Sequence, residues 1–528
     1  MKVIMVILVI VLIGLFYITT IREGNRPGGD FSMYIHHAKN IVEGREFGNT
    51  GYIYNPFYPQ LGPKTYPPVF PMLLSPVYKW FGLNLAAMKI ECILFFLASL
   101  YMAFLIFRNE MPFGYQIAAI LIISMNPFFW SFKDDVASDM PFLFFVYLSL
   151  FFIQKAYDTR QSKGGQLIYA VIVSIFIYLS YGTRNIGFIL IPCILIYDII
   201  KNRKLTLFAG VATLLFILFV GLQAIFFQTD TSYFDQFFRN PKYILKNAAL
   251  YTHAFILLWD GGAQGLNVLR NVLFLMITGL AAIGYGTRLK KMTIFEIFIP
   301  IYLAVILIWP TPQGARFLIP VIPLMIFYSL LGVDQWGLSQ RFRLSLRLKT
   351  VLLITLGIVM TITTICKYKN INFLHITEGV AKPETQALFE HIREHTTDDD
   401  IFIYKNPRIL ALYTKRSASC YHHPREDREL LDYFQGINAT YIILSQNDPA
   451  FFHHFVERVK DLYMLQYSNA DFKVYRINGA DQNFGGLKEP VQERLKGRHL
   501  GGFNPVHMTS RICCSNDMIK TERGLRAL

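Results

Sequence analysis

A few residues beyond an almost uncharged apolar run from Val3 to Ile21 stands the segment Gly28-Gly29-Asp30-Phe31-Ser32-Met33-Tyr34. A carboxylate held where an apolar segment leaves a bilayer is well placed for chemistry on a lipid head group. Asp30, Tyr34, His37 and Ile41 recur at helical spacing on one face of a stretch that stays helix-compatible to Gly44. Asp30 also stands where a helix N-cap would, so capping of backbone N–H groups competes with catalysis as its role. A second acidic group is Lys133-Asp134-Asp135-Val136-Ala137-Ser138-Asp139-Met140-Pro141. Asp139 precedes a strongly apolar segment whose first turn suits Pro141, so it too is either a cap or a reactive carboxylate. Three acids and a lysine are more than a short connector needs, and Asp135 is a supporting candidate.

Two isolated arginines complete the set. Arg184 lies in Tyr181-Gly182-Thr183-Arg184-Asn185, and Arg316 ends Pro310-Thr311-Pro312-Gln313-Gly314-Ala315-Arg316. Each guanidinium either snorkels to the membrane interface or pairs bidentately with phosphate oxygens. The adjacent pairs His36-His37, His422-His423 and His453-His454 point about 100° apart on a helix and do not favour a shared metal. His37 stands out among them only because it is near Asp30. No phosphate loop, dinucleotide fingerprint, nucleophile elbow or zinc-protease motif is present.

The elements that must position these residues are membrane spans. The chain is 53% hydrophobic and 16% charged, with 46 Phe and 30 Tyr, too little charge to cover a soluble protein of 528 residues. The apolar residues come in blocks, expected near 3–21, 84–107, 115–132, 138–157, 166–182, 186–200, 205–227, 269–287, 293–309, 315–332 and 350–366, eleven spans in all. The first is too long for a signal-peptide core and lacks a small-residue cleavage site before Arg22, so it reads as a permanent helix. The net charge of +15 would point to nucleic acid in a soluble chain, but here much of it lies in short loops between spans, so topology explains it and no nucleic-acid partner is expected. None of the six cysteines has metal-finger spacing, and three lie inside apolar segments, which argues against a disulfide framework.

Charge also sets the orientation. Lys2, Arg108, Lys155, Arg160, Lys163, Lys201, Arg203, Lys204, Arg288, Lys290, Lys291, Arg341, Arg343, Arg347 and Lys349 fall on one side, fifteen basic residues, against Lys133, Arg184 and Arg316 in the short loops of the other. The excess belongs in the cytoplasm, which puts the N-terminus there and, after an odd number of spans, the C-terminal region outside. Two outer segments, 22–83 and 228–268, mix aromatic residues with charge and read as interfacial parts of a membrane domain over 1–366. Residues 367–478 have the composition of a soluble domain. Helical patterns from Pro383, over Arg428–Phe434 and over Phe452–Val459 alternate with strand patterns at Asp400–Tyr404, Tyr441–Leu444 and Asp471–Arg476, the signature of a small α/β domain. Residues 479–528 carry scattered charge and no apolar period and read as a disordered tail.

From the N-terminus to about residue 478 the chain resembles the GT-C superfamily of membrane glycosyltransferases, and is similar to the protein O-mannosyltransferase and aminoarabinose transferase group (the bacterial glycosyltransferase family 39 type). Asp30 with Tyr34, Ala38-Lys39 and Gly44 resembles the first-loop Asp motif of that family. Tyr66-Pro67-Pro68, Pro71, Pro76-Val77-Tyr78 and Phe81-Gly82 resemble its proline-rich stretch before the second span. Ser138-Asp139-Met140-Pro141-Phe142 resembles the acidic head of the fourth span. Thr183-Arg184-Asn185 with Gly187, and Arg316-Phe317-Leu318 with Pro320 and Pro323, resemble two arginine motifs, and Phe472–Arg476 closes a domain similar to that of many bacterial members. Phe31 follows Asp30 where many relatives have a second adjacent acid, so one carboxylate stands alone.

The resemblance implies a polytopic α-helical GT-C fold with an extracytoplasmic α/β domain, in a cytoplasmic (inner) membrane. It implies sugar transfer from a polyprenyl-phosphate-linked donor to a protein, lipid or glycan acceptor outside that membrane. Asp30 and Asp139 would be catalytic, Arg184, Arg316 and Lys133 would bind the donor phosphate, and Tyr34, His37 and Asp135 would support them. A divalent metal is the cofactor it leaves open. The alternatives are a transporter or flippase of lipid-linked sugars, against which stands the lack of a clear internal repeat, and a non-catalytic membrane scaffold. The loop charges make one direct prediction. A reporter active only in the cytoplasm, fused after Tyr475, stays silent; strong activity would overturn the eleven-span orientation.

Overall fold

The structure is a computed structural model that describes residues 1–477 apart from 27, 160–162, 228–241, 261, 263–266, 337–345 and 377–378. The expected tail 479–528 and the first part of the segment 228–268 lie outside the described residues. The chain divides into two compact units. The first holds Met1–Glu23 and the described residues between Pro67 and His375; the second holds Gly24–Tyr66 and those from Ile376 on.

The first unit is helical and defines a multi-pass membrane protein. Among the described residues seven helices are long and apolar enough to cross a membrane: Lys2–Thr19, Leu85–Phe107, Asp139–Asp158, Gly164–Thr183, Asn185–Asn202, Leu207–Phe226 and Asn267–Lys291. Shorter apolar helices, Phe113–Ser124, Ile294–Ile308 and Ile322–Asp334, meet three further expected spans, and Leu346–Lys369 meets the last. Two spans differ from the expectation. The one read as 115–132 breaks into Phe113–Ser124 and Pro127–Phe132. There Asn126 caps the second piece by accepting from Phe128 N–H at 2.9 Å, and Pro127 has no N–H to continue the first. The one read as 315–332 opens as a single 3₁₀ stretch, Gly314–Leu318, before the α-helix begins at Ile322, because Pro320 and Pro323 deny the ladder two donors.

The helices Asn267–Arg288 and Ile322–Trp336 approach at glycines. A Cβ on Gly284 would lie 2.0 Å from the Tyr328 carbonyl oxygen, and one on Gly332 would lie 2.1 Å from that of Leu280. Where lipid removes the hydrophobic drive between helices, such small residues let backbones meet and gain dispersion contact.

The second unit is built on a five-stranded mixed sheet. Its strands are β1 (Ile401–Ile403), β2 (Ser417–Ser419), β3 (Tyr441–Ser445), β4 (Tyr463–Ser468) and β5 (Phe472–Ile477), in the order β2-β1-β3-β5-β4. β1 runs parallel to β2 and β3, while β5 is antiparallel to β3 and β4. Helices Pro383–His395, Asp427–Gly436 and Ala450–Arg458 fall where the periodicity predicts them. Leu430, Phe434, Phe452 and Phe455 pack with Ile403 and Ile442 in the core. Strands β2 and β4 and the helix Pro407–Thr414 were not expected from the sequence. Ser417-Ala418-Ser419 has no apolar alternation, and β4 is largely exposed. The loop read as interfacial, 22–83, is divided: Val69–Phe81 is a helix of the first unit, whereas Gly24–Tyr66 belongs to the second. There Ile53 N–H donates to Ala418 O and Ala418 N–H to Gly51 O, both at 2.9 Å, which covers the outer edge of β2.

A Gly284→Ala substitution forces the two glycine-packed helices apart and costs about 1–3 kcal/mol. Its melting temperature in detergent falls, whereas Gly286→Ala, with open space around the new Cβ, does not lower it.

Candidate functional site

Asp30 opens the helix Asp30–Glu43 but does not cap it. The N-cap is Gly29, at φ 74°, a left-handed conformation that glycine adopts without Cβ strain. The Asp30 carboxylate turns to Tyr66, whose hydroxyl donates to Oδ1 at 2.7 Å. That hydroxyl accepts from Arg408 Nη1 at 2.5 Å, and the same nitrogen lies 3.6 Å from Asp30 Oδ1. Arg408 is the second residue of Pro407–Thr414 and is only 2% exposed. Its guanidinium stacks over Tyr52 and Tyr66, 4.7 and 5.0 Å from the ring centroids, and donates to Pro63 O at 3.3 Å. The Asp30 side chain keeps 27% of its surface in solvent while this guanidinium is buried.

The two supporting candidates near Asp30 act on Tyr66. The Tyr34 ring packs tilted against the Tyr66 ring at 5.0 Å. His37 is fully buried. Its Nδ1 meets Phe47 O at 2.8 Å and its Nε2 accepts the Tyr66 N–H at 3.2 Å, which together require the neutral tautomer with the proton on Nδ1. Burial pushes this imidazole down to about 3; the Phe47 contact opposes the fall, and His36 and Arg408 add to it. His37 therefore carries no charge at neutral pH and fixes the backbone that presents Tyr66. A divalent cation requires several ligands converging on one point. Here a guanidinium faces Asp30, both nitrogens of His37 are engaged, and no group of three His, Cys, Asp or Glu suited to a metal is found among the described residues. These side chains do not fit a metal held by the protein.

In the first unit the structure brings three of the expected residues together. Arg184 Nη1 donates to Asp139 Oδ1 at 2.5 Å, and Arg316 Nε donates to Asp139 Oδ2 at 2.8 Å. The carboxylate is almost fully buried at the first turn of Asp139–Asp158, behind the N-cap Ser138. Its oxygens hold arginines rather than helix N–H groups, so neither a cap nor a free base describes it. Arg184 also lies over the Phe317 ring at 5.3 Å, and Arg316 Nη1 donates to Gln313 Oε1 at 3.2 Å. Both guanidinium side chains stay 15% exposed while the carboxylate between them is 3% exposed.

Lys133 stands in a different cluster. Its Nζ donates to Asp134 Oδ2 at 2.8 Å and lies 4.1 Å from the Trp130 ring centroid; it is buried. Asp134 also accepts from Arg22 Nε at 2.7 Å and from the Arg22 backbone N–H at 2.9 Å, while Lys89 Nζ donates to Arg22 O at 2.7 Å. The Lys133 ammonium is thus committed to an internal carboxylate, contrary to the expectation of a phosphate ligand. Asp135 closes the turn after Lys133 through its backbone N–H to Phe132 O at 3.2 Å. Sequence reasoning missed Tyr66, Arg408, Arg22 and Lys89. Tyr66 carried a signal, since it heads the Tyr66-Pro67-Pro68 motif. Arg408 carried none, because it sits on a helix that the apolar pattern did not show.

A bundle of membrane-spanning helices, with charged residues at the helix ends, and a mixed α/β unit make up a fold shared with solved glycosyltransferase structures. Three solved structures make the likeness concrete. The oligosaccharyltransferase AglB of Archaeoglobus fulgidus, in complex with an inhibitory peptide and a dolichol-phosphate, matches at 13% identity over 91% of this chain and 75% of its own, with a TM-score of 0.57. ArnT of Cupriavidus metallidurans bound to undecaprenyl phosphate matches at 12% identity over 90% and 98%, with a TM-score of 0.54. The arabinofuranosyltransferase AftD from Mycobacteria matches at 10% identity over 89% and 41%, also with a TM-score of 0.54. At these identities the likeness is one of fold. No protein-family model and no curated protein matches the sequence.

Asp134→Ala leaves Arg22 and Lys133 without their shared carboxylate and costs about 3–5 kcal/mol, the typical loss when a buried ion pair is broken from one side. Thermal unfolding of the purified protein checks it; an unchanged midpoint would remove the structural role assigned to this cluster.

Proposed function

We propose that the chain is a glycosyltransferase that moves a sugar from a polyprenyl-phosphate-linked donor to a hydroxyl or amine acceptor on a protein, lipid or glycan, at the outer face of a cytoplasmic membrane. The observation that carries this reading is the pair Arg184 and Arg316, locked onto Asp139 at the head of an apolar helix in a GT-C fold. Two solved structures with that fold hold a dolichol-phosphate and undecaprenyl phosphate, ligands that join a phosphate to a long apolar tail. Guanidinium forks suit the phosphate, and a helical membrane surface suits the tail.

The chemistry assigns one role to each cluster. Asp30 takes the proton of the acceptor O–H or N–H as the acceptor heteroatom forms its bond to the anomeric carbon. The bond from that carbon to the phosphate oxygen breaks, and the electron pair leaves with the polyprenyl phosphate. Arg184 and Arg316 stabilise the charge that develops on this leaving group. Asp139 positions the two guanidiniums and takes no proton. The donor-phosphate role rests on the arginines alone, since Lys133 is committed to Asp134.

Transfer of a radiolabelled sugar from its polyprenyl phosphate by purified protein tests the reading. Arg184→Ala or Arg316→Ala weakens donor use about ten- to a hundredfold, the loss of a charged hydrogen bond, and Lys at either position restores it only in part because a point charge lacks the fork. Normal donor use by both alanine variants would locate the phosphate site elsewhere. Asp30→Asn keeps the size and lowers turnover by about 10²–10⁴ while donor binding persists. Near-normal turnover of that variant would remove Asp30 as the base.

A further inference from the structure

We propose that Arg408 is a positioning residue for Asp30, acting through the Tyr66 hydroxyl, so that the segment C-terminal to the membrane spans contributes directly to the reactive carboxylate. The inference rests on the reading of Asp30 as general base and names what tunes it.

Three observations carry it. First, the polarity of the chain of hydrogen bonds is fixed. Arginine has only donors and an ionised carboxylate only acceptors, so the phenol between them must accept from Arg408 Nη1 and give its own proton to Asp30 Oδ1. Second, the guanidinium polarises that phenol. A hydroxyl that accepts from a cation donates more strongly, and the low local dielectric around a 2% exposed arginine amplifies the effect. Third, the geometry is over-determined. Arg408 is held by two aromatic faces and Pro63 O, Tyr66 by His37 Nε2 on its backbone and the Tyr34 ring on its side. A Cβ on Gly62, at φ +107°, would come within 3.0 Å of Arg408 Nη2, so the loop before Tyr66 is closed tightly over the guanidinium.

The Tyr66 phenol and the Arg408 guanidinium face Asp30, with Tyr34 packed on Tyr66, Tyr52 under Arg408 and His37 neutral behind Tyr66. Both polar groups favour the ionised carboxylate, the form a base needs. Removing either one favours the protonated form and makes the base available only at higher pH.

The test compares kcat/KM against pH for sugar transfer by the full-length protein and its Tyr66→Phe, Arg408→Gln and double variants. The acid limb moves to higher pH by about one unit or more in each single variant. The double variant moves little further, because both substitutions interrupt one path. The KM for the donor stays within about twofold, as neither residue touches the phosphate in this reading. A second readout needs no turnover: the pH dependence of Asp30 modification by a water-soluble carbodiimide, followed by mass spectrometry, shifts in the same direction. Should Arg408→Gln fail to fold, Tyr66→Phe decides alone, since it removes one oxygen. An unchanged limb and an unchanged modification profile in Tyr66→Phe overturn the inference, whatever the total activity. Normal turnover by Asp30→Asn overturns the base reading instead, and the modification profile still reports on Arg408 and Tyr66.

Discussion

Taking an ion out of water costs several kcal/mol unless a partner meets it, and the helical unit is arranged around that constraint. Asp134 gathers Arg22 and Lys133; Asp139 gathers Arg184 and Arg316. Glu296 accepts from the Thr293 N–H at 2.7 Å and the Tyr328 hydroxyl at 2.5 Å, with Arg288 Nε at 3.5 Å. Asp198 accepts from Asn202 and from both the backbone and side chain of Thr206. Each carboxylate joins chain segments distant in sequence or closes a helix end, so the same pairs that make the charges tolerable also set where helices start and meet.

Two of these pairs differ in what they leave over. Around Asp134 the Lys133 ammonium is sealed with its carboxylate against Trp130, while Arg22, also over that ring, keeps 12% of its side chain exposed. Around Asp139 both cations are guanidiniums, and both keep part of their surface in solvent. A cation whose orientation is fixed by internal bonds and that stays partly exposed can meet an external anion without first losing that orientation, which is the preorganisation that electrostatic catalysis exploits. Asp139 matters to the proposed chemistry for what it holds, not for a proton it exchanges.

The second unit solves the same problem with aromatic rings. Arg408 is deep among Tyr52 and Tyr66, and its oxygen partners include the Tyr66 phenol and the Pro63 carbonyl, with the Asp30 carboxylate 3.6 Å away. The loop Gly24–Tyr66 is a structural part of this unit, since residues 51–55 add backbone and side-chain bonds to β2 and to Cys420. The carboxylate that heads the first helix after the first span is therefore fixed by residues more than three hundred positions away in the chain.

The sequence by itself determined the membrane class, the helices that meet the eleven expected spans, and three helices and three strands between Pro383 and Ile477, because each rests on local periodicity that survives in any tertiary setting. It also singled out Asp30, Asp139, Arg184 and Arg316, since an ion at the end of an apolar segment is rare enough to be conspicuous. It did not determine which cation meets which acid. Lys133 and Arg184 look alike as lone charges in short loops, yet one lies sealed on Asp134 and the other stays partly exposed on Asp139. Nor could it bring Arg408 to Tyr66 or assign Gly24–Tyr66 to the C-terminal sheet. Those pairings are non-local, and hydrogen bonds and ion pairs act over a few ångströms of space with no periodic imprint along the chain, so only the tertiary structure decided them.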